Sequence, residues 1–206
     1  MSVLDYYAAN QAKVLALAGR HLSLTLAAIV LSLALGVCLG ALCYRSKTFN
    51  AWATGVAGAL RVLPSLATML LLMPLMGTGV LPAVTALTIL GLPPVVINTA
   101  LGLLSTDAGV IEAAEACGMN PRMVFFSVRL PLALPMMITG LRVSALSVSA
   151  GAILAAYIGA GGLGELILSG LSLYRSDMLL AGALATMAIS LSLEGLFQLL
   201  YKGYFS

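Results

Sequence analysis

Ser105-Thr106-Asp107, Glu112-Ala113-Ala114-Glu115, Gly118, Asn120-Pro121 and Leu130-Pro131 mark out a polar stretch, 105–131, set between hydrophobic tracts. What surrounds it decides the fold. Only 8% of the 206 residues are charged and 61% are hydrophobic, against roughly 25% charged in an average soluble domain. Lipid is the solvent for most of this chain.

A helix needs about 20 apolar residues to cross roughly 30 Å of hydrocarbon. Leu22 to Leu42 is one charge-free run, and Val62 to Thr106 is another, too long for a single helix. Pro74, Gly77, Gly79 and Pro82 are turn formers that divide the second run. The expected spans are 22–42, 55–76, 81–104, 132–158 and 178–200, in one domain covering 1–206 with no internal repeat. The second span starts as early as Trp52 if Arg61 sits near an interface, and Pro93-Pro94 is expected to kink or break the third. The fold class is therefore an all-α integral membrane protein of about five helices.

Lysine and arginine in short loops set orientation. With the N-terminus outside, Arg45, Lys47, Arg122, Arg129 and Lys202 fall in the cytoplasm and only Lys13, Arg20 and Arg175 outside. That places 105–131 and the C-terminus in the cytoplasm. The Leu22 run lacks a convincing cleavage site and reads as a retained helix. Cys38, Cys43 and Cys117 lack metal-ligand spacing and read as small apolar residues. A net charge of +3 without a basic run speaks against nucleic acid as a partner.

Within 105–131, Ser105, Thr106 and Asp107 offer oxygens to cap a helix over 108–117, and Gly118 is placed to end it in a left-handed conformation. Asn120 and Pro121 then supply a cap and a first-turn proline for another short helix, which Pro131 is expected to end. Val110, Ala113, Ala114 and Cys117 recur at helical spacing, leaving Glu112 and Glu115 on another face. Small side chains permit close approach of a second surface, as in docking into a groove. A solvated loop helix fits the same pattern.

Glu112, Ala113, Ala114, Gly118, Val128, Leu130 and Pro131 resemble the cytoplasmic EAA loop of ABC importer permeases, with Val128 in place of the usual isoleucine. The resemblance implies a type I ABC importer permease in a bacterial plasma (inner) membrane. It implies that the loop is a coupling helix resting in a cleft of an ATP-binding subunit. Two ATP-binding cassette ATPases would carry ATP and Mg. A second permease, identical or a paralogue, would complete the path, and an extracytoplasmic binding protein would deliver the substrate. Leu24-Thr25-Leu26, Pro64-Ser65-Leu66-Ala67, the run from Ile158 through Gly161-Gly162 to Glu165, and Arg175 to Ala183 are similar to the glycine betaine, carnitine and choline branch. Leu92 to Val96 and Leu173-Tyr174 depart from that branch, which leaves methionine-type permeases as a rival.

Other signals carry competing readings. Gly159, Gly161 and Gly164 match a dinucleotide-binding spacing, but no strand or βαβ unit accompanies them, so a tight turn is expected. Gly161, Gly162 and Glu165 in this turn either contact the external binding protein or only shape and solvate the loop. No phosphate-binding G-x-x-x-x-G-K-S/T motif occurs, so the chain itself is not expected to be an enzyme. Arg142 lies deep in its span, where a charge must face protein or water. It bridges helix carbonyls or Glu194, or lines the substrate path. Glu194 alternatively reaches the cytoplasmic surface, and that is the preferred expectation. Ser144, Ser147 and Ser149 pack helices or line a polar path, while Tyr157 and Tyr174 anchor at interfaces or face a cation. An ATP-independent channel or carrier would need membrane-embedded ion ligands, and the spans offer almost none beyond Arg142 and Glu194.

Overall fold

The computed structural model describes residues 2–205; Met1 and Ser206, which complete the expected domain, lie outside the described residues. A short helix α1 (Val3–Ala9) precedes α2 (Gln11–Arg45), the longest apolar helix. Then come α3 (Lys47–Leu60), α4 (Ser65–Met76), α5 (Val80–Leu104), α6 (Ala108–Ala116), α7 (Pro121–Val124) and α8 (Leu130–Gly151). After them run α9 (Gly164–Ser172) and α10 (Ser176–Phe205). No strand occurs among the described residues.

The centre of the bundle is α5, which is buried on most of its circumference between α2 and α8. Lipid gives helices no hydrophobic drive toward one another, so close approach over small residues must supply the packing. Here glycines do this on both sides. A methyl group on Gly91 would fall 2.6 Å from Ser32 Oγ, 2.7 Å from Ser144 Oγ and 2.7 Å from Val148. Gly40 of α2 backs onto Thr99, and Gly140 of α8 onto Asn98 and the Pro94 carbonyl. Leu24, Ala28, Leu87, Ala145 and Val148 fill the core between them.

Neither of two possible proline breaks occurs. Pro93 and Pro94 lie inside a continuous α5, buried against neighbouring helices, and Ser32 Oγ donates to the Thr88 carbonyl just upstream (3.1 Å). Burial of both prolines between α2 and α8 keeps this helix unbroken. Nor does Pro131 end a helix. A π-helical turn at Phe125–Arg129 joins α7 to α8, widening the backbone where Pro131 cannot donate, so one helical rod runs from Pro121 to Ile158. Its last turns, Ala152–Ile158, tighten to 3-10 geometry before Gly159 stops them at φ 75°.

The second span also departs from expectation. Residues 55–76 are not one helix, because α3 and α4 meet at 98° across Arg61 to Pro64. Pro64 lacks an N–H and disfavours helix in the residue before it, which puts the break there. At 1.5 Å per residue α4 is roughly 18 Å long, too short to cross alone. Among the described residues four helices are long and apolar enough to span, or up to five if the bent pair makes one span.

Replacing Gly91 with valine is predicted to lower the thermal unfolding midpoint of the detergent-solubilised chain, consistent with an overpacking cost of about 1–3 kcal/mol. Gly19→Ala, where an added methyl meets nothing within 4 Å, should leave the midpoint unchanged or higher in the same assay.

Candidate functional site

The 105–131 segment forms an elbow. The Asp107 carboxylate accepts from the amides of Gly109 (2.7 Å) and Val110 (3.4 Å), starting α6 as its sequence predicts. Gly118, at φ 82°, ends the turn after α6 in the left-handed region that a β-branched residue rarely adopts. Asn120 accepts from the Met123 amide (3.0 Å) and Pro121 sits in the first turn of α7.

α6 stands clear of the bundle. Glu112, Ala113, Glu115, Cys117 and Gly118 are exposed, Val110 is 44% exposed, and among the residues of α6 only Ala114 is buried. Leu130 is half-buried and Pro131 exposed at the start of α8. The base of the elbow is fixed instead. Arg129 donates from Nη1 to the Leu103 carbonyl (3.2 Å) and lays its guanidinium 4.7 Å from the Tyr44 ring centroid. Phe125 stacks on that ring at 5.8 Å. One arginine thus ties the ends of α2 and α5 to the start of α8. In the sequence Arg129 reads only as a cytoplasmic charge and Tyr44 carries no signal; an arginine just before Leu130-Pro131 is the available clue.

Arg142 and Glu194 meet. Arg142 Nε donates to Glu194 Oε2 at 2.8 Å, a second bond joins Arg142 Nη2 to Glu194 Oε1, and Gln198 also donates to Glu194 (3.0 Å). Of its two expected destinations Glu194 takes Arg142, which offers it two donors across the α8–α10 contact. The Arg142 side chain is 43% exposed, beside a cleft of about 230 Å³ lined by Ile138, Thr139, Phe197 and Tyr201. A charge at this depth facing outward from the chain requires protein or water beside it, not lipid. Ser144 is fully buried against Gly91, and Ser147 donates to the Val143 carbonyl at 2.8 Å. Ser149 and Ser190 share a hydrogen bond of 2.9 Å between α8 and α10.

At the opposite end, the glycine turn folds inward. Gly161 and Gly162 are buried, packed on Arg20 and His21 of α2, and Arg20 Nε donates to the Ala160 carbonyl (3.1 Å). These two glycines close the turn onto α2 rather than presenting an outer contact surface; Glu165 beside them is exposed. The Gly79 amide donates to the Ile158 carbonyl (2.7 Å), so the α4–α5 turn joins the same end. Nearby, Arg175 bonds Asp177 (2.6 Å), and this contact holds the arginine pKa above its usual value. Tyr157 and Tyr174 are both exposed, at 53% and 96%. No hydroxyl bonds to His21, and no cluster able to hold a metal occurs among the described residues.

A bundle of long apolar helices held by small residues, with an exposed elbow at one end and a part-exposed ion pair on the α8–α10 face, fits an integral membrane subunit. Residues 15–205 match the family described as binding-protein-dependent transport system inner membrane component. The chain belongs to that family, the permease subunits of ABC importers. It is 36% identical to the carnitine transport permease protein OpuCB of Listeria monocytogenes, over 94% of this chain and 88% of that one. It is 37% identical to the osmoprotectant import permease protein OsmW of Salmonella typhimurium, over 95% and 94% of the respective chains. Its fold matches the inward-facing MetNI methionine ABC transporter with a TM-score of 0.85 at 17% identity, covering 94% of this chain and 96% of that one.

Arg142→Met should destabilise the solubilised chain more than the double change Arg142→Met with Glu194→Gln, because the single change leaves a carboxylate without its donor. Thermal unfolding of wild type, both single variants and the double variant checks this. Additive losses would show that the pair is not coupled.

Proposed function

We propose that the chain pairs with a second permease, two ATPase subunits and an extracytoplasmic binding protein to import a quaternary-amine osmoprotectant of the glycine betaine, choline and carnitine class. The observation that carries the coupling part is α6, exposed on nearly every side yet rigidly based on three long helices. Such a helix gains its burial from a partner, and its alanine face and two carboxylates suit a cleft on the ATPase. ATP and Mg belong to that partner. The N-terminus lies outside and the elbow in the cytoplasm, consistent with Arg45, Lys47, Arg122 and Arg129 all gathering at the elbow's end.

In this cycle ATP binding draws the two ATPases together and moves the paired α6 helices. The rod from Pro121 to Ile158 passes that movement to the membrane core, and the path opens outward to the binding protein. Hydrolysis resets it. The outward-facing Arg142–Glu194 pair lies on the α8–α10 face, which this reading gives to the second permease or the water-filled path. The substrate class is supported by what the carnitine and osmoprotectant relatives are named for. The likeness to the methionine transporter, at 17% identity, supports the fold alone.

Gly118→Val, which strains the left-handed turn by about 1–2 kcal/mol, is predicted to abolish co-purification of the ATPase. Ala113→Trp, on an exposed site that needs no refolding, should do the same while the chain stays monodisperse. ATP-independent transport by the lone chain would refute the reading. In cells carrying the complete system, choline, carnitine and glycine betaine should each compete for labelled betaine uptake and methionine should not; competition by methionine alone would overturn the substrate class.

A further inference from the structure

A groove of about 420 Å³ runs between the end of α2 and the α7–α8 junction, lined by Ala41, Leu42, Tyr44, Arg45, Pro121, Arg122, Phe125 and Phe126. Two of its properties differ from those of the coupling surface. Its charged lining is entirely cationic, with Arg45 and Arg122 exposed and no carboxylate among the lining residues. Neither arginine has an ion-pair or hydrogen-bond partner among the described residues, whereas Arg129, Arg142 and Arg175 all do. Its other walls are apolar and open, with Phe126 64% exposed and Leu42 46% exposed.

The groove also sits at a defined level. Arg45 is the last residue of α2 and the first charge after the apolar stretch from Leu22 to Tyr44, so it falls where hydrocarbon gives way to headgroups. On the facing wall, Arg122 precedes Phe125 and Phe126, which lead into the apolar start of α8. Each wall therefore carries a cation at headgroup level and an apolar surface on the membrane side. The Tyr44 wall is held in shape by Arg129 and Phe125 (4.7 and 5.8 Å), so the groove is formed before anything enters it.

We propose that this groove binds an anionic phospholipid of the leaflet at the α6 end, with the headgroup phosphate on Arg45 and Arg122 and an acyl chain along Leu42 and Phe126. Guanidinium groups match phosphate oxygens in a planar, two-pronged geometry, and basic recesses between spanning helices favour anionic headgroups. The apolar walls distinguish a lipid from a free anion, because they add affinity only when an acyl chain covers them. Occupancy would brace α2 against the α7–α8 junction beside the elbow. The site depends on membrane embedding and not on the substrate proposed above.

The test uses the full chain reconstituted in nanodiscs of equal phosphatidylglycerol and phosphatidylcholine, then released into mild detergent for native mass spectrometry. Wild type should retain phosphatidylglycerol over phosphatidylcholine. Arg45→Gln with Arg122→Gln should reduce retained phosphatidylglycerol on the order of tenfold, each cation near the surface contributing about equally. Arg45→Lys with Arg122→Lys should keep most of it, and Lys13→Gln at the other end should change nothing. Undiminished retention by the glutamine pair, or equal retention of both lipids by wild type, would overturn the proposal. So would displacement of the lipid by millimolar inorganic phosphate, which would mark a free-anion site.

Discussion

Hydrocarbon can satisfy no backbone hydrogen bond and gives apolar helices no reason to prefer each other to lipid, so everything in this chain depends on how closely helices approach α5. Gly40 of α2, Gly91 of α5 and Gly140 of α8 bring backbones to distances at which even a methyl group would collide with a neighbour. That contact holds Pro93 and Pro94 in an unbroken helix. It also fixes the three helix ends that the elbow is built on.

From that grip the elbow inherits rigidity. Arg129 bonds the end of α5 and lies over Tyr44 near the end of α2, while α7 runs through a π-helical turn directly into α8. Between Pro121 and Ile158 no loop interrupts the helix. The Arg142–Glu194 pair, part-way along the same rod, locks α8 to α10 where the chain faces outward. In the proposed importer, α6 receives the movement, α8 carries it, and the α8–α10 face meets the partner or the path.

Much of this was legible in the sequence wherever chemistry is local. Charge-free runs located α2 and α5, and long apolar stretches each with a single internal charge located α8 and α10; Asp107, Asn120 and Pro121 announced their helix starts; Gly118 announced its stop. What was not legible depends on neighbours distant in sequence. Proline predicts a break only if nothing holds the helix, and what packs on Pro93 and Pro94 lies on other helices. The 98° bend before α4 looked like a continuous apolar run because hydropathy carries no direction. Glu194 had two polar destinations from sequence, and only the packing of α8 on α10 selected Arg142. Gly161 and Gly162 read as an outer loop, yet Arg20 and His21 cover them.

The central claim is that α6 moves with nucleotide and drags the bundle with it. Cys117, exposed at the end of α6, offers a label site once Cys38 and Cys43 are replaced by alanine. Spin-label distances between Cys117 and the matching position in the second permease, measured in the assembled transporter in nanodiscs, read that motion directly. ATP trapped without hydrolysis should shorten the α6–α6 distance by several ångström and reverse on nucleotide removal. An identical distance distribution with and without ATP, in a transporter that still imports substrate, would contradict the account.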